Sequence, residues 1–152
     1  MQLTRYSDYS LRVLIYLAVD PDRLATIDEI ARSYGVSRAH LMKVVHQLGL
    51  RGYVETVRGR GGGLRLARPP EKIRVGAVVR ATEENLALVE CMDSGARECV
   101  IESACGLRPV LREALGAFLA VLDGYTLADL VARRRRPLVA LLQSAPGEGA
   151  RA

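Results

Sequence analysis

The chain has no apolar run long enough to cross a bilayer. Its most apolar early stretch, Leu11 to Ala18, is interrupted by Arg12 and falls well short of the roughly 20 residues a span needs. No signal-peptide pattern opens it, so a cytoplasmic protein without a membrane partner is expected. Cysteine is scarce and odd in number: Cys91, Cys99 and Cys105. An odd count without a secretory signal argues against a disulfide framework and leaves a metal site or reactive thiols. Histidine is scarcer still, with His40 and His46 alone. No nucleophile–base pair or carboxylate pair stands at an informative spacing, so an enzyme is not expected.

What is present begins with basic charge. Residues 1–80 hold 14 Lys/Arg against 7 Asp/Glu, while residues 81–152 hold 8 against 10. A basic half joined to a mildly acidic one is what polyanion binding by one module would produce, although a solvated basic surface has the same composition. At 152 residues the chain suits one compact domain, or a small domain with an arm that buries itself against a second copy.

Hydrophobic spacing predicts the elements. Leu11, Leu14, Ile15 and Ala18 mark an amphipathic helix from about Thr4 to Val19. Thr26 with Glu29 forms a capping-box pattern opening a short helix that faces Ile30, Ala31 and Tyr34 inward and ends at Gly35. Ser37 is the expected N-cap of a second short helix carrying the stripe Leu41, Val44, Val45, Leu48. Two short helices about a glycine turn make a helix-turn-helix. Strands are expected over Tyr53 to Val57 and Leu64 to Ala67, joined by the cationic, glycine-rich tip Arg58-Gly59-Arg60-Gly61-Gly62-Gly63, which is a wing.

A helix is expected from Val75 to roughly Leu88, with Val75, Val78 and Val79 inward, then a cysteine-bearing loop over 91–106. Leu107, Leu111, Ala114, Phe118 and Val121 follow at 4-3-4-3 spacing, the seam of a helix packed along another, and Pro109 fits its first turn. Leu115, Leu119 and Leu122 widen the apolar surface beyond what a small winged domain covers, so a homodimer is expected. Thr126 and Asp129 mark one more helix, ending at the run Arg133 to Arg136, whose role stays open between phosphate contact and a solvated helix terminus. The fold class is thus mainly α with a small β-hairpin. The expected organisation is a winged helix-turn-helix domain at 1–80, a linker and cysteine loop at 81–106, a dimerisation helix with C-terminal helices at 107–143, and a flexible tail at 144–152.

The stripe buries one side of the second short helix and turns Ala39, Met42, Lys43, His46 and Gln47 outward, where they can enter a major groove. Arg38 at its N-terminus can reach a phosphate or a guanine edge, and Arg58 and Arg60 present the wing to DNA. A plain three-helix packing unit is the alternative; the ordered succession of cap, turn, stripe and Arg-Gly wing favours DNA binding. Both histidines lie on the recognition helix and are not expected as ligands. Seven residues separate Cys91 from Cys99 and five separate Cys99 from Cys105. Soft thiolates on one unstructured loop suit zinc or an iron–sulfur cluster, but three structural cysteines or a thiol switch would show the same spacing.

The opening Met1-Gln2-Leu3-Thr4-Arg5-Tyr6-Ser7-Asp8-Tyr9-Ser10-Leu11-Arg12-Val13-Leu14, the wing Arg58-Gly59-Arg60-Gly61-Gly62-Gly63-Leu64-Arg65-Leu66-Ala67 and the three cysteines together resemble the IscR/NsrR family of bacterial iron–sulfur winged-helix regulators, over nearly the whole chain. The ending Phe118 to Leu130 resembles the nitric-oxide-sensing branch more than the IscR branch. IscR-type members carry a histidine three residues after the last cysteine, where this chain has Arg108, and the first cysteine interval here is longer than the family's. The resemblance implies a homodimer on a palindromic operator in double-stranded DNA, with one iron–sulfur cluster per subunit on Cys91, Cys99 and Cys105, 4Fe–4S in preference to 2Fe–2S. It further implies Asp8 of the partner subunit as the fourth ligand. The expected function is a repressor that senses nitric oxide and controls its detoxification genes. A regulator of the same fold sensing cluster supply, redox state or thiol oxidation is the near alternative. An iron–sulfur electron carrier is the distant one, and the Arg-Gly wing speaks against it.

Overall fold

The computed structural model describes residues 2–93 and 99–143, so the tail expected over 144–152 and part of the cysteine loop lie outside the described residues. Helix α1 (Arg5–Val19) starts at Thr4, whose extended backbone turns its Oγ1 to accept from the Ser7 N–H at 3.2 Å. Its buried face is turned from the apolar stripe toward Ser7, Ser10, Val13, Leu14 and Leu17, with Leu11 and Ile15 half-buried. Small hydroxyl residues let another helix approach closely. Ser7 Oγ donates to Thr82 Oγ1 at 2.8 Å in the interior.

Helix α2 (Ile27–Tyr34) has the full capping box: the Glu29 N–H donates to Thr26 Oγ1 at 3.2 Å and the Thr26 N–H donates to Glu29 Oε2 at 2.6 Å. Glu29 is held below the usual carboxylate range; burial would raise it, and the Thr26 and Arg23 hydrogen bonds outweigh that. Gly35 ends α2 in the left-handed region at φ 62°. Helix α3 (Arg38–Leu50) begins after Ser37, which occupies the cap position without a side-chain cap bond, its carbonyl accepting from the Leu41 N–H at 3.1 Å. All four stripe residues, Leu41, Val44, Val45 and Leu48, are buried as the spacing predicts. Truncating a fully buried leucine such as Leu14 or Leu48 to alanine costs about 2–5 kcal/mol.

The wing is an antiparallel pair, β1 (Val54–Val57) and β2 (Gly63–Leu66), in register Val54↔Leu66 to Val57↔Gly63. Ala25 adds a one-residue third edge through two backbone bonds with Leu64, at 3.0 and 2.7 Å. At the tip, Gly59 and Gly61 take φ of 104° and 78°, which L side chains rarely adopt.

Helix α4 (Val75–Thr82) buries Val75, Val78 and Val79 as expected but stops at Thr82 rather than near Leu88. Thr82 Oγ1 turns back to donate to Val78 O at 2.9 Å, and Glu83 leaves the helix in extended conformation, accepting from the Thr4 N–H at 2.8 Å. Single 3-10 turns at Glu90–Met92 and Glu102–Ala104 flank residues 94–98. Helix α5 (Leu107–Asp123) has no buried residue in the single chain.

Helix α6 (Leu127–Ala132) is capped by Thr126 and Asp129 in a second capping box, and α7 (Arg135–Gln143) begins within the arginine run, with Arg135 and Arg136 in its first turn. Leu127 and Val131 of α6 lie in the same core as Val13, Leu14 and Ile30; Leu138, Val139 and Leu142 of α7 pack on it. Among the described residues no helix is long and apolar enough to cross a membrane.

Candidate functional site

Burial of the Leu41, Val44, Val45, Leu48 stripe rotates the rest of α3 outward. Arg38, Ala39, Met42, Lys43 and His46 are exposed and Gln47 is half-buried. Arg58 and Arg60 are exposed on the wing tip, and among the described residues neither has an ion-pair partner, so both charges are available to a polyanion. Arg38 is partly committed: its Nε pairs with Asp28 at 2.8 Å and its Nη1 donates to Met42 Sδ at 3.4 Å. Gln47 accepts from Arg51 Nη1 at 2.8 Å, which fixes its amide orientation.

Sequence reasoning missed the neighbours of this face. Arg5, Tyr6 and Tyr9 of α1 border a groove with His40, Lys43 and Val44 of α3, and the Tyr9 and His40 rings lie 6.5 Å apart. The i, i+4 spacing of Arg5 and Tyr9 was the available signal, but only tertiary packing brings that edge beside α3.

Asp8 sits half-exposed in the first turn of α1. Its carboxylate takes Arg12 at 2.8 Å and accepts from Arg12 Nε at 2.9 Å. The Arg12 guanidinium lies 5.8 Å from the ring centroids of both Tyr9 and Tyr34. Burial pushes the Tyr34 phenol up to about 12, so it remains a neutral platform.

All three cysteines are free thiols: Cys91 in the first 3-10 turn, Cys105 closing the second, and Cys99 exposed before it. Cys99 O accepts from the Glu102 N–H at 2.9 Å. Arg108, at the position where IscR-type regulators carry a histidine, is paired with Glu102. Among the described residues no group of three His, Cys, Asp or Glu side chains is arranged to hold a metal ion, so the thiols lie on one segment without being gathered to a point. As a donor set they fit a thiophilic group: three unpaired, accessible sulfurs within 15 positions.

A buried helix-turn-helix stripe, an exposed polar α3 face and a cationic wing define a winged-helix DNA-binding module. Residues 3–133 match the Rrf2 family, described as an iron-dependent transcriptional regulator, and the chain belongs to that family. It is a DNA-binding transcriptional regulator. The chain is 55% identical over 144 residues to the HTH-type transcriptional regulator NsrR of Bacillus subtilis, covering 94% of this chain and 98% of that protein. Among solved structures, CymR, the global cysteine regulator of B. subtilis, matches at TM-score 0.74 and 25% identity, over 88% of this chain and 98% of that one. IscR of T. potens matches at TM-score 0.71 and 25% identity, over 97% and 94%.

Proposed function

We propose that the chain is a homodimeric repressor whose iron–sulfur cluster, held by Cys91, Cys99 and Cys105, makes operator binding responsive to nitric oxide. The carrying observation is a set of exposed apolar residues close to the cysteines in sequence and along α5. Val100 and Ile101 between the second and third cysteines are 99% and 61% exposed, and Leu107, Val110 and Val121 of α5 are 60%, 59% and 62% exposed. Exposed apolar side chains of that number call for a partner surface, and a second copy supplies one with two-fold symmetry.

Two such helices packed antiparallel bring the cysteine segment of one protomer beside the body of the other. Over 17 residues α5 spans about 25 Å, enough to carry the thiols from Asp123 to the far end of the dimer. Asp8 of the partner subunit is the fourth ligand in this reading, released from Arg12 and harder than the thiolates. The cluster supplies iron that reacts with nitric oxide. The chain's own residues do the rest: the thiolates fix residues 91–105 against α5, α5 fixes the distance between the two bodies, and α3 with Arg58 and Arg60 meets successive major grooves of a palindrome. Genes for nitric oxide detoxification are the targets in this reading, which the relatedness to the NsrR regulators supports. Regulation by cluster supply or thiol oxidation uses the same surface and differs in what the segment 91–105 carries.

The test is an oxygen-free preparation assayed for iron, sulfide and mass in solution, with Cys91→Ala, Cys99→Ala and Cys105→Ala beside it. The proposal expects a dimer with iron and sulfide in the wild type and their loss in each variant. A monomer, or iron retained in all three variants, overturns it.

A further inference from the structure

The junction between α4 and α5 carries more polar geometry than a loop connection requires. Arg80 Nη1 and Nη2 donate to Asp123 Oδ1 and Oδ2, each at 2.6 Å, a bidentate fork that fixes orientation as well as distance. Arg74 Nη1 donates to the Asp123 carbonyl at 2.7 Å. Beside it the backbones pair as a short antiparallel clasp: the Val75 N–H donates to Tyr125 O and the Leu127 N–H to Ile73 O, both at 2.9 Å. Gly76 completes the seat, because a Cβ there would come closer than 3.0 Å to the Asp123 carboxylate. With both partners roughly 40% exposed, at 43% and 38%, such a pair contributes little to stability. What it does fix is an angle.

That angle has leverage. Asp123 is the last residue of α5, and the rest of the helix buries no residue in its own chain. Tilting a helix of this length by about 10° at one end moves the other by roughly 4 Å, more than the 3.4 Å step of one base pair.

We propose that Arg80 and Asp123 are positioning residues that set the tilt of α5 on the winged-helix body, and with it the half-site spacing that two copies accept on DNA. The inference rests on the dimer of the proposed function. Arg74 and Gly76 support the pin from either side, and the clasp keeps the chain ends together when the pin is removed.

The test uses the full-length protein and a palindromic duplex selected from a random pool by the wild type, together with the same duplex lengthened or shortened by one or two base pairs at its dyad. A duplex holding one half-site reports the integrity of the winged module, and sedimentation reports the dimer. The wild type should discriminate strongly among the spacings. Arg80→Ala, Asp123→Ala and the double variant should each lower that discrimination by a similar factor, about fivefold, because all three remove one interaction. Half-site binding should be unchanged and Arg80→Lys should restore part of the loss. Gly76→Ala, which displaces Asp123 without removing a charge, should move the preferred spacing and serves if an alanine variant fails to fold. Dimeric variants that rank the spacings as the wild type does overturn this inference alone; a monomeric wild type overturns the dimer beneath it.

Discussion

Arg135 Nε donates to the carbonyl of Val19 at 2.9 Å, so the first turn of α7 caps the C-terminus of α1. A cation at a helix C-terminus meets unpaired carbonyls and the negative end of the helix dipole, and Asp20, 4.0 Å from the Arg135 guanidinium, adds to it. Within the arginine run, therefore, at least one residue serves the fold. Arg135→Ala should lower stability by about 1 kcal/mol and leave the salt dependence of DNA binding unchanged. Thermal melting and operator titration over salt concentration check both; a shallower salt slope would place Arg135 on phosphate instead.

DNA recognition is expected to divide between wing and helix. Arg58→Ala and Arg60→Ala should each weaken binding on every sequence and reduce the salt slope by about 1. Changes at Lys43 or Gln47 should alter base preference at single operator positions, with mismatches worth about 1–3 kcal/mol. Selection of operators by each variant distinguishes the two effects.

How far the sequence could be read depended on the range of the interaction. Both capping boxes and the wing glycines are written within four or five neighbouring positions and the α3 stripe within eight, and each appears in the structure at those residues. The end of α4 could not be read that way, because Glu83 is drawn out by Thr4, 79 positions earlier. Arg80 and Asp123 are 43 positions apart, and no local pattern marks either as a partner of the other. The turn of α1 toward Ser7 and Ser10 was hidden for a similar reason: hydroxyls read as polar until Thr82 is seen to meet one of them. Cysteine spacing named the donors and left their grouping open.

The proposed α5 seam has clean probes where the side chains are exposed in the single chain. Phe118 lines a cleft with Leu3, Leu86 and Leu88, so a charge there would disturb the protomer as well as the interface. Val110→Glu and Val121→Glu avoid that. Each should leave half-site binding intact while lowering dimer affinity and palindrome binding together, as sedimentation and operator titration would show.

Acid should remove a small part of the fold's stability. Asp123 is held below the usual carboxylate range by Arg80, and Asp129 by the Thr126 backbone and side-chain hydrogen bonds. A carboxyl lowered in the folded state contributes stability that is present above its unfolded value of about 4 and is lost as pH falls through the folded value. Stability from these groups should therefore be flat from neutral pH to about 5 and decline below about 4. Circular dichroism melts over that range check the sign, and Asp129→Asn should flatten part of the decline.

In the proposed function the cysteine segment ties a nitric-oxide-reactive cluster to operator binding. Its most direct test is an anaerobic titration of the cluster-loaded protein with nitric oxide, following visible absorbance and anisotropy of a labelled operator in the same cuvette. Absorbance loss and operator release should run together, and Asp8→Ala should retain a cluster while changing the rate at which it reacts. Operator affinity that survives complete loss of the cluster absorbance would show that the cluster does not govern DNA binding.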